Sequence, residues 1–245
     1  MFQHSSSDLA QDLRRLGVEA GDILFVHASF KSLGPVRGGA IAVIEALEAA
    51  IGTGGLLLMP SFNLVERNKR AETWDHASTP STVGWITEQF RRLPGVHRSD
   101  HYSHSVSARG EGAKEFVADH LCQEGHFSPW DLRPWGKTYG LHSPMHRAYR
   151  AGAKLLMLGV DYLSSTYIHF VEVIYWNKLH AVGQGDGEAP PFPAMDRPAL
   201  GAYWERTGKL HRGSVGDADC RLFGVRGYVD SLLVEVERNA ERYLL

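Results

Sequence analysis

Short apolar runs alternate with helical patterns along the first third of the chain. Residues 23–27 (ILFVH) predict a buried strand, and residues 55–60 (GLLLMP) predict a second one. A glycine-bearing turn over residues 29–39 and a helical pattern over residues 40–51 lie between them. Strand, turn, helix and strand in this order form a βαβ unit, which indicates parallel strands with a right-handed crossover.

The same alternation continues to the end of the chain. The clearest later signals are the apolar run Ala153–Val160, which predicts a buried strand, and a helix from about Ser165 to Leu179 directly after it. Together the pattern predicts one α/β domain over residues 1–245. The other predicted elements are a helix capped by Ser7 and ended by Gly17, a helix from Ser81 to Phe90, a strand over residues 103–110, a helix from Glu111 to Leu121, a loop over residues 123–145, a long connection from Ala181 to Pro198, two strands, and a closing helix from Tyr228 to Tyr243.

Composition narrows the class of protein. The formal net charge of −2 gives no basic excess for a nucleic-acid or anionic-membrane surface. No apolar run reaches the roughly 18 residues of a membrane span, and the first residues have no apolar signal-peptide core. Cys122 and Cys220 are too few and too far apart for a disulfide framework or a structural zinc site. Neither lies in a recognisable nucleophile context, so we expect two buried thiols. The expectation is a soluble, cytoplasmic protein without nucleic-acid or membrane partners.

Histidine is abundant, at 13 residues, and one histidine stands in a suggestive pattern. Within the predicted helix after residue 165, Thr166, His169, Glu172 and Trp176 fall on one stripe, because residues three and four apart are neighbours on a helix. A glutamate beside a histidine can fix its tautomer and make it a better general base. The stripe follows a predicted strand, where open α/β sheets place their ligand crevices. An ordinary helix face with one hydrogen bond is the alternative interpretation.

The turn after the first predicted strand is a second candidate site. Its serine and glycine residues lead into a helix, and Lys31 and Arg37 add positive charge, as in an anion cradle. The turn lacks both the Walker and the G-x-G-x-x-G patterns, which disfavours a nucleotide hydrolase or a dinucleotide fold. It is equally compatible with a plain turn. His142 and His146 have metal-like spacing, but Pro144 separates them and no nearby carboxylate completes a set, so we predict no metal site.

Several sequence blocks, taken in their order along the chain, resemble the aminoglycoside 3-N-acetyltransferase family of antibiotic N-acetyltransferases. The resemblance runs through nearly the whole chain and implies a three-layer α/β/α fold on a mostly parallel central sheet. The blocks are Leu16-Gly-Val with Gly21-Asp22, Val26 to Gly34, Gly55 to Pro60, Pro94-Gly95, Arg98-Ser99, His101 to Val106, Tyr139 to Pro144, Leu155 to Val160, Thr166 to Glu172, and Gly213 to Leu222.

The resemblance also implies a reaction, in which acetyl-CoA donates an acetyl group within a ternary complex directly to a primary amine of an aminoglycoside, the 3-amino group of its 2-deoxystreptamine ring. His169 corresponds to the general base and Glu172 to the residue that orients it. In the implied mechanism the Thr166 hydroxyl or a nearby backbone N–H would stabilise the developing oxyanion. The turn from Ser29 to Gly34 corresponds to the part that holds the coenzyme A pyrophosphate. No metal is implied. The full set of implied cofactor-binding residues is His27, Ser29, Phe30, Lys31, Ser32, Leu33, Gly34 and Ser105.

Two departures from the family pattern leave the acceptor open. Drug-modifying members carry Asn and Asp where this chain has Ser165 and Leu163. The acids after the predicted helix are Asp186, Glu188 and Asp196, which are few for a polycationic drug. Aromatic side chains that could stack on a less charged sugar, or could belong to the core, are Trp74, Trp85, Trp130, Trp135, Tyr162 and Tyr167.

Several alternatives therefore stay open beside an aminoglycoside acetyltransferase. The first is a biosynthetic N-acetyltransferase acting on an amino sugar or a nucleotide-linked amine. The others are a metal-dependent hydrolase that uses the histidines, and a coenzyme A-binding module without catalysis. The sequence also leaves open whether the chain is a monomer or a homodimer.

Overall fold

The computed structural model describes residues 3–182 and 190–245. Within these residues one seven-stranded sheet has the strand order β3-β4-β2-β1-β5-β7-β6. The two strands predicted from the first βαβ unit, β1 and β2, are neighbours at its centre. The strands are β1 (Ile23–Ala28), β2 (Leu56–Pro60), β3 (His97–Arg98), β4 (Val106–Gly110), β5 (Lys154–Leu158), β6 (His211–Val215) and β7 (Ala218–Gly224).

Helices cover both faces of the sheet. Among the described residues they are α1 (Ser6–Leu16), α2 (Gly39–Ile51), α3 (Trp85–Arg91), α4 (Ala113–Val117), α5 (Pro144–Ala151), α6 (Thr166–Val182), α7 (Arg197–Arg206), α8 (Val225–Arg238) and α9 (Ala240–Tyr243). No helix in these parts of the chain is both long and apolar enough to cross a membrane.

The apolar residues form a core on each side of the sheet. Leu24 and Val26 of β1 pack with α1, α2 and α3 in one core, and Phe25 packs with α4 to α9 in the other. This split follows from the strand geometry, because successive side chains point to opposite faces. The predicted three-layer α/β/α arrangement is therefore confirmed.

The sheet is mixed, so the prediction of a mostly parallel sheet is wrong. Strand β1 pairs in parallel with β2 and with β5, as the βαβ pattern indicates. The four outer pairings, β2 with β4, β3 with β4, β5 with β7, and β6 with β7, are antiparallel. Strands β6 and β7 form a hairpin whose last paired residues before the turn are Val215 and Ala218. A short turn joins antiparallel strands, whereas the parallel pairing of a βαβ unit needs a crossover connection.

Several element boundaries differ from the predicted ones. Helix α1 is capped by Ser5 instead of Ser7, because Ser5 and Asp8 form a reciprocal capping box. Helix α5 was not predicted, since Pro144 suggests a break. In the structure Pro144 occupies the first turn of α5, directly after the Ser143 cap, where proline is tolerated. Strand β3 and helix α7 were also not predicted, and helix α3 begins after Gly84 instead of at Ser81.

Candidate active site

The central parallel strands and helix α6 surround a cavity of about 230 Å³. His27 and Ala28 reach it from the end of β1, and Val160 follows the end of β5. Thr166 and His169 line it from the first turns of α6. The predicted stripe on α6 is thus brought to the carboxyl ends of the parallel strands, where open α/β sheets bind ligands.

His169 and Glu172 form a close pair one turn apart on α6. The His169 Nδ1 atom lies 2.5 Å from Glu172 Oε2, and the His169 side chain is 26% exposed, whereas that of Glu172 is 3% exposed. The other carboxylate oxygen, Oε1, accepts the backbone N–H of Met195 at 3.1 Å. Both oxygens of the buried carboxylate therefore accept N–H groups. With Nδ1 donating to Glu172, a neutral His169 presents an unprotonated Nε2.

His27 meets the first residue of α6. Its Nε2 accepts the backbone N–H of Thr166 at 3.4 Å, so it satisfies one of the free N–H groups at the start of that helix. Burial lowers the pKa of His27 to about 4, which keeps the imidazole neutral at pH 7. The Thr166 carbonyl accepts from the Tyr139 hydroxyl at 3.3 Å, which anchors the same turn from the other side.

Three buried histidines, His101, His104 and His120, form a cluster next to the cavity. The carbonyl oxygen of Thr138 can only accept, so His120 Nε2 donates to it, and His120 Nδ1 accepts from the Ser99 hydroxyl at 2.9 Å. His101 Nδ1 accepts the backbone N–H of His104 at 3.0 Å. Burial lowers the pKa of His120 to about 3 and those of His101 and His104 well below the usual value. Of these three, His104 lines the cavity.

The turn after β1 lies beside the cavity and is tied to β5. Residues Phe30–Leu33 form a short 3-10 helix, and the Ser32 hydroxyl donates to the carbonyl of Gly159 at 3.0 Å. Leu33 is fully buried in the core, which leaves only its backbone for a ligand. Lys31 is exposed, as an anion-binding role requires. Residues 29–34 do not line the 230 Å³ cavity itself, so their cofactor role stays a prediction.

Ser105 is not brought to the cavity. Its side chain is fully buried, donates to the Ser61 carbonyl at 2.8 Å and accepts from Arg98 Nε at 2.9 Å. The guanidinium of Arg98 also donates to the carbonyls of Ser61 and Thr79. Ser105 therefore belongs to a buried network that holds the strand ends together, and its cofactor role stays a prediction.

Two further residues complete the surroundings of His169, and the sequence placed neither of them beside it. The Trp130 ring, from the irregular segment between α4 and α5, packs edge-on against His169 with centroids 5.2 Å apart. Met195 approaches Glu172 only because the chain returns after the proline-rich connection. Of the other aromatic candidates, Tyr167 is fully buried and Trp85 is 60% exposed at the surface.

The two positions that depart from the family pattern, Leu163 and Ser165, both line the cavity. Asp196 caps α7 by accepting the backbone N–H of Ala199 at 2.9 Å. Asp186 and Glu188 lie outside the described residues. Among the described residues that line this cavity there is no aspartate or glutamate, and Arg197 contributes a cation.

The cysteines are only partly as expected. Cys220 is buried, and burial raises the pKa of its thiol to about 11. Cys122 is half-buried at the surface, so the prediction of a second buried thiol is wrong. The reason is that Cys122 follows α4 on a connecting segment rather than on a strand that faces a core. Neither cysteine lines the cavity.

The fold and the site define an α/β protein with a histidine–glutamate pair at the carboxyl ends of its parallel strands. The family model described as aminoglycoside 3-N-acetyltransferase matches residues 25–234. The chain belongs to this family.

Individual relatives agree with the family. The chain is 31% identical over 251 residues to aminoglycoside N(3)-acetyltransferase IV of Salmonella sp, covering 97% of this chain and 89% of the relative. The apoenzyme structure of aminoglycoside acetyltransferase AAC(3)-IVa superposes with a TM-score of 0.78 at 29% identity, over 98% of this chain and 91% of that one. A mutant of AAC(3)-IVa in complex with a gentamicin gives a TM-score of 0.78 at 26% identity, with the same coverage of both chains.

Proposed function

We propose that this chain transfers the acetyl group of acetyl-CoA to the 3-amino group of the 2-deoxystreptamine ring of an aminoglycoside. The observation that carries the proposal is the His169–Glu172 pair, with Nδ1 and Oε2 2.5 Å apart, opening onto a cavity at the carboxyl ends of β1 and β5 in a chain of this family. The relative solved with a gentamicin supports an aminoglycoside as the acceptor.

His169 is the general base in this proposal. Only an unprotonated amine attacks a thioester, and a proton must leave the nitrogen as its bond to the carbonyl carbon forms. The unprotonated Nε2 of His169 accepts that proton, directly or through a water molecule. Glu172 holds Nδ1–H and stabilises the resulting imidazolium, and the Met195 N–H keeps the carboxylate oriented.

The thioester carbonyl oxygen gains negative charge when the amine adds to the carbonyl carbon, and helix α6 offers a hydrogen-bond donor for that oxygen. Thr166 lines the cavity one turn before His169, so its hydroxyl is placed to donate to that oxygen. The backbone N–H of Thr166 is already given to His27. Collapse of the intermediate breaks the carbon–sulfur bond, and the coenzyme A thiolate leaves and takes up a proton.

The turn after β1 offers a positive charge and a serine for coenzyme A. The turn over residues 29–34 lies at the end of β1 beside His27, with Lys31 exposed for a phosphate and Ser29 at its start. Ser32 and Gly159 lock this turn against β5. These residues would hold the pyrophosphate, while the thioester end reaches His169.

A second candidate function has one observation in its favour. Leu163 and Ser165 stand at cavity-lining positions where drug-modifying members have acidic and amide residues, and no described residue of this lining is acidic. A polycationic drug prefers carboxylates near its amines. A biosynthetic N-acetyltransferase acting on a less charged amino sugar or a nucleotide-linked amine fits these residues, with the same base and donor.

Coenzyme A release from acetyl-CoA tests both candidates. We would assay 2-deoxystreptamine aminoglycosides, free amino sugars and nucleotide-linked amino sugars with the wild type and with His169→Ala. A loss of roughly 10²- to 10⁴-fold in kcat with little change in the KM for acetyl-CoA is expected for the variant. His211→Ala, at an exposed histidine on β6, is the matched control and should keep the wild-type rate.

The outcomes separate the candidates. Turnover with aminoglycosides that His169→Ala abolishes would support the first candidate. Turnover restricted to the sugar or nucleotide-linked amines would support the second. An undiminished rate in His169→Ala would refute the mechanism for either acceptor.

A further inference from the structure

Three side chains of metal-binding type meet at the surface, outside the cavity of His169. The Cys122 thiol, the Glu124 carboxylate and the His142 imidazole place one potential ligand atom each within 4.8 Å of one another. His142 Nε2 and Glu124 Oε2 are 3.4 Å apart. Sequence spacing suggested His146 as the partner of His142, but His146 instead stacks near His126, with ring centroids 6.1 Å apart.

The backbone is built to bring these three residues together. The segments around Cys122 and His142 run side by side, with Lys137 N donating to the Cys122 carbonyl and Leu141 N to the Glu124 carbonyl. Glycines permit this close approach. At Gly125, φ is +95° and an added Cβ would lie 2.7 Å from Leu141 N, and at Gly140 it would lie 2.5 Å from the Glu124 carbonyl oxygen.

We propose that Cys122, Glu124 and His142 form a zinc-binding site. A thiolate, an imidazole nitrogen and a carboxylate oxygen are the ligands that Zn²⁺ takes in proteins, and three protein ligands leave a fourth tetrahedral position for water. A solvent-filled surface hollow of about 780 Å³ borders Glu124 and His142 and gives that water access. Arg147 borders the same hollow, and its guanidinium is already hydrogen-bonded to three backbone carbonyls between residues 115 and 118.

The site would act on the segment that carries Trp130, whose ring packs against His169. Cys122 and Glu124 lie near the start of the connection between α4 and α5, and His142 lies near its end. Midway, Asp131 accepts from the Ser128 and Thr138 backbone N–H groups and shapes the turn that carries Trp130. Because Trp130 packs on His169, a cation that joins the two ends of this segment would fix the position of Trp130 against His169.

Cobalt spectroscopy tests the ligands directly. The purified full chain, stripped of metal and reduced, would be titrated with Co²⁺, whose thiolate complexes absorb in the near ultraviolet. We expect one Co²⁺ per chain with a thiolate-to-cobalt band that Zn²⁺ displaces. Cys122→Ser should abolish the band, while Cys220→Ala, at the buried thiol, should keep it.

Calorimetric titration with Zn²⁺ tests the other two ligands. His142→Ala and Glu124→Gln should weaken Zn²⁺ binding by at least the roughly 10- to 100-fold that outer-shell partners of a metal are worth. His211→Ala, an exposed histidine elsewhere, should leave the affinity unchanged. The proposal is overturned if the wild type shows no thiolate band, if the band persists in Cys122→Ser, or if His142→Ala binds Zn²⁺ like the wild type. None of these readouts depends on acetyl transfer.

Discussion

The substitution Glu172→Gln tests the proposed catalytic pair, His169 and Glu172, with the least change in side-chain shape. Glutamine has nearly the same volume as glutamate but has one acceptor and one donor where the carboxylate has two acceptors. In the wild type both oxygens accept, one from His169 Nδ1 at 2.5 Å and one from Met195 N at 3.1 Å. Only one of these N–H groups can keep its acceptor in the variant.

Either orientation of the glutamine harms the base. If its carbonyl oxygen serves Met195, its NH₂ group faces His169 Nδ1 and favours the tautomer with the proton on Nε2, which cannot accept another. If the oxygen serves His169, the NH₂ group faces the Met195 N–H at a buried position, which costs about 1–3 kcal/mol of stability. In both cases the imidazolium loses its neighbouring charge. We expect a fall in kcat of roughly 10²- to 10⁴-fold, or about 3–5 kcal/mol of transition-state stabilisation.

The assay is the steady-state release of coenzyme A, with urea unfolding measured in parallel. The KM for acetyl-CoA should change little, because Glu172 is 3% exposed and acts through His169. The control Glu237→Gln removes an exposed carboxylate that pairs with Lys178 and should keep the wild-type kcat. A Glu172→Gln enzyme that is folded and within about threefold of the wild-type kcat would refute the assigned role of Glu172.

Three further predictions address the oxyanion donor, the turn beside β1 and the buried histidines. Thr166→Val should lower kcat by about 10²-fold while Thr166→Ser stays near the wild type, and equal rates would remove the hydroxyl from the mechanism. Gly159→Ala should cost about 1–3 kcal/mol of backbone strain at φ +66°, and it should also raise the KM for acetyl-CoA, because the new Cβ would lie 2.4 Å from Ser32 Cβ. The control Gly152→Ala has φ +71° and open space around its Cβ, so it should cost the strain alone. Equal KM values for the two variants would contradict this prediction. Burial lowers the pKa of His120 to about 3, below the usual value of about 6.5, so its stabilising contribution is complete above pH 6.5 and lost as the pH falls. Between pH 7 and 5, His120→Gln should therefore lose about 2 kcal/mol less of unfolding free energy than the wild type in urea titrations, and equal losses would count against a neutral His120.

Local patterns predicted the parts of the fold that local forces decide. The stripe on α6 follows from helical spacing alone, and β1, β2 and β5 follow from their apolar runs. The direction of the outer strands depends on how the chain returns to the sheet, which no local period records. Strand β3 has only two residues, His97 and Arg98, and its pairing with β4 is a tertiary contact.

The contacts of the candidate site were likewise predictable only where they lie within one helix. His169 and Glu172 lie three residues apart, so their contact follows from the sequence of one helix. The contact of Met195 with Glu172 and that of Trp130 with His169 arise from irregular segments, whose paths depend on packing. Ser105 lies in a matching block and takes part in a buried network with Arg98, which its own sequence does not reveal. The cofactor role of residues 29–34 stays a prediction.

The position of β1 at the centre of the sheet has a consequence during synthesis of the chain. One neighbour, β2, follows it closely, but the other neighbour, β5, is made much later, and His27 and Thr166 are 139 residues apart. Until β5 leaves the ribosome, one edge of β1 has no partner, and unpaired strand edges invite aggregation. We therefore expect the nascent chain to be most prone to aggregation until Leu158 has left the ribosome, and a product truncated before that residue should be insoluble and inactive.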